Sequence, residues 1–168
     1  PQIDQYGLMS SGSRRLEDMT RIIDQMDYHR VMVFANMKTS VRQLCDRLHK
    51  QGRSVDCLHG DIPQSQRNQV MTGFREGKFE ILVEAVFNYD IPDENEYYLH
   101  RIGRTGRAKR RGAAYTFMTP DDRFRIRDIK KYTHSEIEEI LFAADGRLTH
   151  KDGSPLAQAA DTASTEDI

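Results

Sequence analysis

The chain has 168 residues, 38% hydrophobic and 30% charged, with a net charge of −1. That length suits one domain with a real core, and no apolar run approaches the ~20 residues of a membrane helix. Near-neutrality argues against a uniformly basic nucleic-acid surface, and the lack of an apolar leader core fits a cytoplasmic protein.

In chain order, residues 3–8 form a weak strand candidate, followed by a helix whose apolar face is Leu16, Met19, Ile23 and Met26. "RVMVFAN" (30–36) and "SVDCLH" (54–59) look like buried strands. Between them Val41, Leu44, Cys45 and Leu48 mark a second helix, opened by a capping box of Ser40 and Gln43 and closed at Gly52. A third helix is expected over 64–76, then strands at 79–83 and 85–90. A fourth helix starts near Asp93 with Glu96 as cap partner and ends near Arg101, because Gly103 and Gly106 oppose continuation. "GAAYTFM" (112–118) is a further strand. Thr119, Pro120 and Asp122 open a fifth helix, and Ser135 with Glu138 opens a sixth. This alternation predicts an α/β fold, a mostly parallel sheet covered by helices on both faces. The pattern stops near Asp145, so the domain is expected over 1–145 and a flexible polar tail or linker over 146–168. Cys45 and Cys57 lack metal spacing and are expected to pack in the core, with no metal site.

One run breaks the alternation. "FEILVEAVFNYD" (79–90) has twelve residues and no turn signal. One strand of that length would be about twice the usual span, and two parallel strands need a connection of about a dozen residues. Either the strand is unusually long or a segment is missing between Val83 and Glu84.

Charge concentrates in "YLHRIGRTGRAKRRG" (98–112), which holds five arginines and no acid. Arg101, Arg104 and Arg107 recur every third residue, with glycines before two positions of that series. Small residues let backbone approach a ligand, and guanidinium forks match phosphate oxygens. A polyphosphate site is favoured over a solvated basic loop. Lys109, Arg110 and Arg111 lack the glycine interleaving and read as solvated charge.

"HRIGRTGR" (100–107) resembles motif VI of the DEAD-box RNA helicases, "VMVFANMKTS" (31–40) their motif IV, and "HGDIPQSQRNQVMTGFREG" (59–77) the segment with the Gln-x-x-Arg element. "FNYDIP" (87–92) resembles the strand and turn before motif VI. His100 and Thr105 fit this branch better than the DEAH-type or DNA helicases, which more often have glutamine and alanine there. The resemblance implies a RecA-like, three-layer α/β/α domain, the second core domain of an ATP-dependent RNA helicase of bacterial type, monomeric in isolation. It implies that Arg104 and Arg107 act as arginine fingers on ATP and that Arg101 holds the motif. His100 would link the phosphate site to the N-terminal RecA-like domain, or simply be a satisfied interdomain histidine. Arg67 would contact an RNA phosphate with Gln64 beside it. Gly60 and Asp61, at a helix start, and Lys38 and Thr39 of motif IV would add RNA contacts. Met37 stands where many members have threonine. ATP and Mg2+ would be held mainly by the N-terminal domain, since the chain has neither G-x-x-x-x-G-K-[ST] nor Asp-Glu-Ala-Asp. Motif V, which the family carries after "ILV", is absent at the Val83–Glu84 junction. A non-catalytic RNA-binding module is the alternative that this absence favours, and a DNA helicase domain is a third.

Overall fold

A computed structural model describes residues 3–59, 83–106 and 111–157. In chain order the elements are β1 (Ile3–Met9), α1 (Arg14–Gln25), β2 (Val31–Ala35), α2 (Lys38–Lys50), β3 (Val55–His59), β4 (Ala85–Asn88), α3 (Asn95–Ile102), β5 (Gly112–Met118), a 3-10 turn (Pro120–Asp122), α4 (Arg123–Thr133), β6 (Glu138–Phe142) and β7 (Leu148–Thr149). The strands form one sheet in the order β3-β2-β4-β5-β1-β6-β7. All neighbours are parallel except the β6–β7 pair. The expected α/β class with a mostly parallel sheet is what the chain adopts.

Strand alternation divides the core in two. Ala113, Tyr115 and Phe117 of β5 and Phe87 of β4 face one side, where they meet Met19, Ile22 and Ile23 of α1 and Leu44 and Leu48 of α2. Ala114 faces the other side, with Tyr98 and Ile102 of α3 and Ile129 of α4. Each helix buries the apolar stripe that its 3.6-residue period writes.

The twelve-residue run breaks where strand length said it must. β4 spans four residues, Ala85–Asn88, and Val83 and Glu84 lie before it, outside any strand. The Val83 N–H donates to Arg104 O (3.3 Å) and the Glu84 N–H to Arg30 O (2.9 Å). The helix expected at 64–76, and the strand expected at 79–83 apart from Val83, fall outside the described residues.

Other expectations need correcting. The sixth helix is instead strand β6, parallel to β1. The spacing of Ile137, Ile140 and Leu141 satisfies a helix period, but the outer edge of β1 is otherwise unpaired, and covering it outweighs local pattern. α2 begins at Lys38 behind an extended Met37, two residues before the expected Ser40 cap, and has no side-chain cap bond. Its end is as read: Gly52 takes φ +78, and the Arg53 N–H reaches back to Leu48 O, a glycine-closed helix end. α3 starts at Asn95 rather than near Asp93. The opening expected at Thr119, Pro120 and Asp122 is a 3-10 turn that leads into α4, with the Asp122 carboxylate accepting from the Thr119 N–H (2.9 Å) and hydroxyl (3.1 Å). The fold does not end at 145. Leu148 and Leu156 are buried in the larger core, and the Leu156 N–H donates to Leu148 O (3.0 Å). Two apolar side chains in a polar segment are too sparse for a periodic signal, yet they suffice to dock it.

Candidate functional site

The site is a tight turn after α3, held at both ends. α3 runs out at Gly103, where successive N–H groups bond one turn back: Gly103 to Leu99 O (3.0 Å), Arg104 to Arg101 O (3.4 Å), Thr105 to Ile102 O (3.2 Å). Gly106 then takes φ +72, a conformation that side chains resist. The buried Thr105 hydroxyl lies 2.6 Å from Val83 O and 3.1 Å from Glu84 O, its one proton shared between the two carbonyls. Gly112 makes room for this. A Cβ there would sit 2.2 Å from Thr105 Oγ1 and 2.4 Å from the Gly106 nitrogen.

At the other end Arg101 is buried, at 7% exposure. Its guanidinium donates to Asn88 Oδ1 (3.3 Å), Asp90 O (3.5 Å) and Asn36 Oδ1 (3.1 Å). It also lies 5.4 Å from the centre of the Phe34 ring, a cation–π distance. Asn88 is itself fixed, its amide donating to Thr116 Oγ1 (3.0 Å). Asn36 donates from its side chain to Ile91 O (2.9 Å) and from its backbone to Asp90 Oδ2 (3.1 Å). The Asp90 carboxylate pairs in turn with Arg15 of α1 (3.0 Å).

The sequence-nominated residues distribute as follows. Arg101 and Arg104 share the turn, and Arg104 is as buried as Arg101, at 7% exposure. His100 is exposed on α3. Lys38 and Thr39 lie on the first turn of α2, with one residue between them and Asn36, so the Asn36–Arg101 bond stitches the motif IV segment to motif VI. Met37, between them, is 60% exposed. Arg107, Gly60, Asp61, Gln64 and Arg67 lie outside the described residues, as do Lys109 and Arg110. Arg111 forks onto Asp4 (2.8 and 2.7 Å) at the surface. Cys45 and Cys57 are free thiols, both half-buried; burial, with the neighbouring Cys45 thiol, pushes Cys57 well above the ordinary thiol range. Among the described residues no group of three His, Cys, Asp or Glu side chains is placed to hold a metal.

Sequence reading missed Arg15, Asn36, Asn88, Asp90 and Thr116. Asn88 did carry a signal, a polar residue inside an apolar run. Arg15 carried none, because an arginine beside a helix stripe reads as solvated.

A family model described as the helicase conserved C-terminal domain matches residues 14–85. The DEAD-box ATP-dependent RNA helicase CshA of Geobacillus kaustophilus is 34% identical over 154 residues, taking in 83% of this chain and 33% of that protein. The structure of the C-terminal domain of the DEAD-box protein Dbp5 superposes with a TM-score of 0.62 at 28% identity, covering 83% of this chain and 90% of that one. S. cerevisiae Dbp5 L327V bound to RNA and ADP BeF3 gives a TM-score of 0.60 at 27% identity, covering 83% and 41%. The chain thus spans about a third of the curated relative's length. Moreover, 83% of a 168-residue chain is shorter than the 154 aligned residues. The relative therefore has residues with no counterpart here, as a missing segment at Val83–Glu84 would produce.

Fold and turn together define a RecA-like helicase C-terminal domain. Within that class the chain belongs to the DEAD-box RNA helicases, as their C-terminal domain.

Proposed function

We propose that this domain completes the active site of an ATP-dependent RNA helicase whose N-terminal RecA-like domain holds ATP and Mg2+. The observation that carries this reading is the two-ended clamp on the motif VI turn. Arg101 and Thr105 fix the backbone on either side of Arg104 through buried hydrogen bonds. A fixed backbone is what an arginine finger requires, since a preorganised charge costs no reorganisation during reaction. Arg104 and Arg107 neutralise charge that develops as the γ-phosphoryl group leaves. Arg104 is buried in this domain, so domain closure must uncover its guanidinium. Exposed His100 faces the partner domain. Lys38, Thr39, Gly60, Asp61, Gln64 and Arg67 grip the backbone of one RNA strand, giving salt-sensitive binding with little sequence preference. ATP and RNA together favour the closed pair of domains, and a bent strand separates base pairs locally. The domain alone neither binds ATP tightly nor hydrolyses it, and it works as a monomer in the cytoplasm.

The test joins this chain to the N-terminal RecA-like domain of a CshA relative and measures RNA-stimulated ATP hydrolysis. Arg104→Ala and Arg107→Ala should each lower kcat by about 10²- to 10³-fold. Equal hydrolysis with both changes would overturn the finger assignment. Replacing RNA by DNA as the stimulant separates an RNA from a DNA helicase. A second reading, a non-catalytic RNA-binding module, draws on the direct passage from Val83 to Glu84 without motif V. RNA binding by the joined protein without any stimulated hydrolysis would select it.

A further inference from the structure

Arg15 is on the wrong face of the sheet to belong to the motif VI turn. α1 packs with α2 against Phe87 and Tyr115, whereas α3 packs with α4 on the opposite side. Yet Arg15 is not solvated. Its side chain is 12% exposed. Its Nε donates to Ser10 O (2.9 Å), and its Nη1 to Tyr89 O (2.9 Å) and to Asp90 Oδ1 (3.0 Å). The guanidinium therefore spans the carboxyl end of the sheet, from the β1–α1 loop to the residues that follow β4.

Asp90 divides its carboxylate between two elements. Oδ1 holds Arg15, and Oδ2 accepts the Asn36 N–H at 3.1 Å. Asn36 then presents Oδ1 to Arg101 at 3.1 Å while its amide is pinned by Ile91 O at 2.9 Å. Each link is a polar group with a stated partner, and removing one member leaves the next without its bond. Ser10, the loop end of the chain of contacts, is fixed too: its hydroxyl donates to the buried Asp18 carboxylate (2.6 Å).

We infer that Arg15 is a positioning residue for motif VI, acting through Asp90 and Asn36 to set the place of Arg101 and hence the turn that carries Arg104. This rests on the phosphate-facing reading of that turn proposed above, and it adds that α1 is part of the site's support from across the sheet. Any displacement of α1 at its first turn is then felt at motif VI.

Amide hydrogen exchange on this chain tests the relay without reference to catalysis. Arg15→Met keeps the stem and removes the fork. It should speed exchange at the Asn36, Gly103 and Thr105 N–H groups by about tenfold through local opening, while β5 amides stay at the original rate. Arg15→Lys should restore part of that protection by keeping a charge on Asp90. Asp90→Asn should give the Arg15→Met pattern. Acceleration confined to α1 and Ser10, uniform acceleration that includes β5, or an unchanged pattern in Asp90→Asn would each overturn the relay. In the joined two-domain protein Arg15→Met should lower kcat by about tenfold with KM for ATP unchanged; an unchanged kcat alongside the exchange effect would break the link to the site. If Arg104→Ala leaves hydrolysis intact, the function reading fails while the exchange result still stands or falls by itself.

Discussion

Phe87 and Asn88 are neighbours on β4 and point to opposite faces of the sheet. Phe87 is fully buried among rings, stacked on Tyr115 at 5.0 Å with a 14° tilt and within 6.3 Å of Phe117. Asn88 is equally buried but among polar atoms, bonded to Thr116 and Arg101. The first face is non-directional: it gains free energy from area removed from water and tolerates any apolar group of the right volume. The second is directional: its groups have few alternative partners, and each lost partner strands another. One strand thus separates holding the domain together from holding a turn in place. Stability should respond to changes among the packed rings of the first face, and the geometry of motif VI to changes in the polar network, which Arg15 joins from across the sheet.

The strongest way to break that division is Phe87→Ala. Deleting a fully buried ring should cost about 3–5 kcal/mol of unfolding free energy, read from urea denaturation. Amide exchange at Gly103 and Thr105, measured where the variant is still folded, should follow the global loss without exceeding it. Selective loosening of the turn would show that the aromatic face also positions the site. The companion change is Asn88→Ala, which strands the Thr116 hydroxyl and one Arg101 donor. It should cost less, about 1–3 kcal/mol, yet loosen the turn more than stability falls. Gly112→Ala tests the same turn from β5, where the new Cβ meets the Gly106 backbone at 2.4 Å; its expected signature is a displaced Thr105 with the Val83 bond lost.

How far this division can be read from sequence depends on how locally each part is encoded. "GAAYTFM" shows its aromatic side by plain alternation, and the stripe on α1 shows through its period. Motif VI is contiguous, so its arginines and glycines stand out together. The support around it is not contiguous. Arg15, Asn36, Asn88 and Asp90 come from three separate runs, and only the strand order β2-β4-β5-β1 brings them together. No local pattern encodes that meeting. β6 is hidden for a different reason: "EIEEILF" carries helix spacing at Ile137, Ile140 and Leu141, and only its pairing with β1 makes it a strand.

The smallest effect separates the faces by pH. On the aromatic face the hydroxyls of Tyr28 and Tyr115 are 2.8 Å apart, and both phenols are pushed well above the ordinary tyrosine range, chiefly by burial. Tyr6 beside them is pushed up to about 12, by burial and then by Asp4 and Glu138. On the opposite face only Tyr98, among the described residues, is raised in this way, again by burial. A phenol whose folded value is raised keeps its proton in the folded state while the unfolded chain gives it up above pH ~10. The unfolded state then binds fewer protons, so stability is complete below that pH and falls as pH rises, by about 1.4 kcal/mol per pH unit for each fully buried tyrosine. Tyr28→Phe should cost about 1 kcal/mol at pH 7 through the lost hydroxyl pair. Between pH 10 and 11 it should also remove about one proton's worth of that alkaline slope in urea titrations. A slope unchanged by Tyr28→Phe but flattened by Tyr98→Phe would move the alkaline sensitivity to the face that carries motif VI, and the division drawn from β4 would fail there.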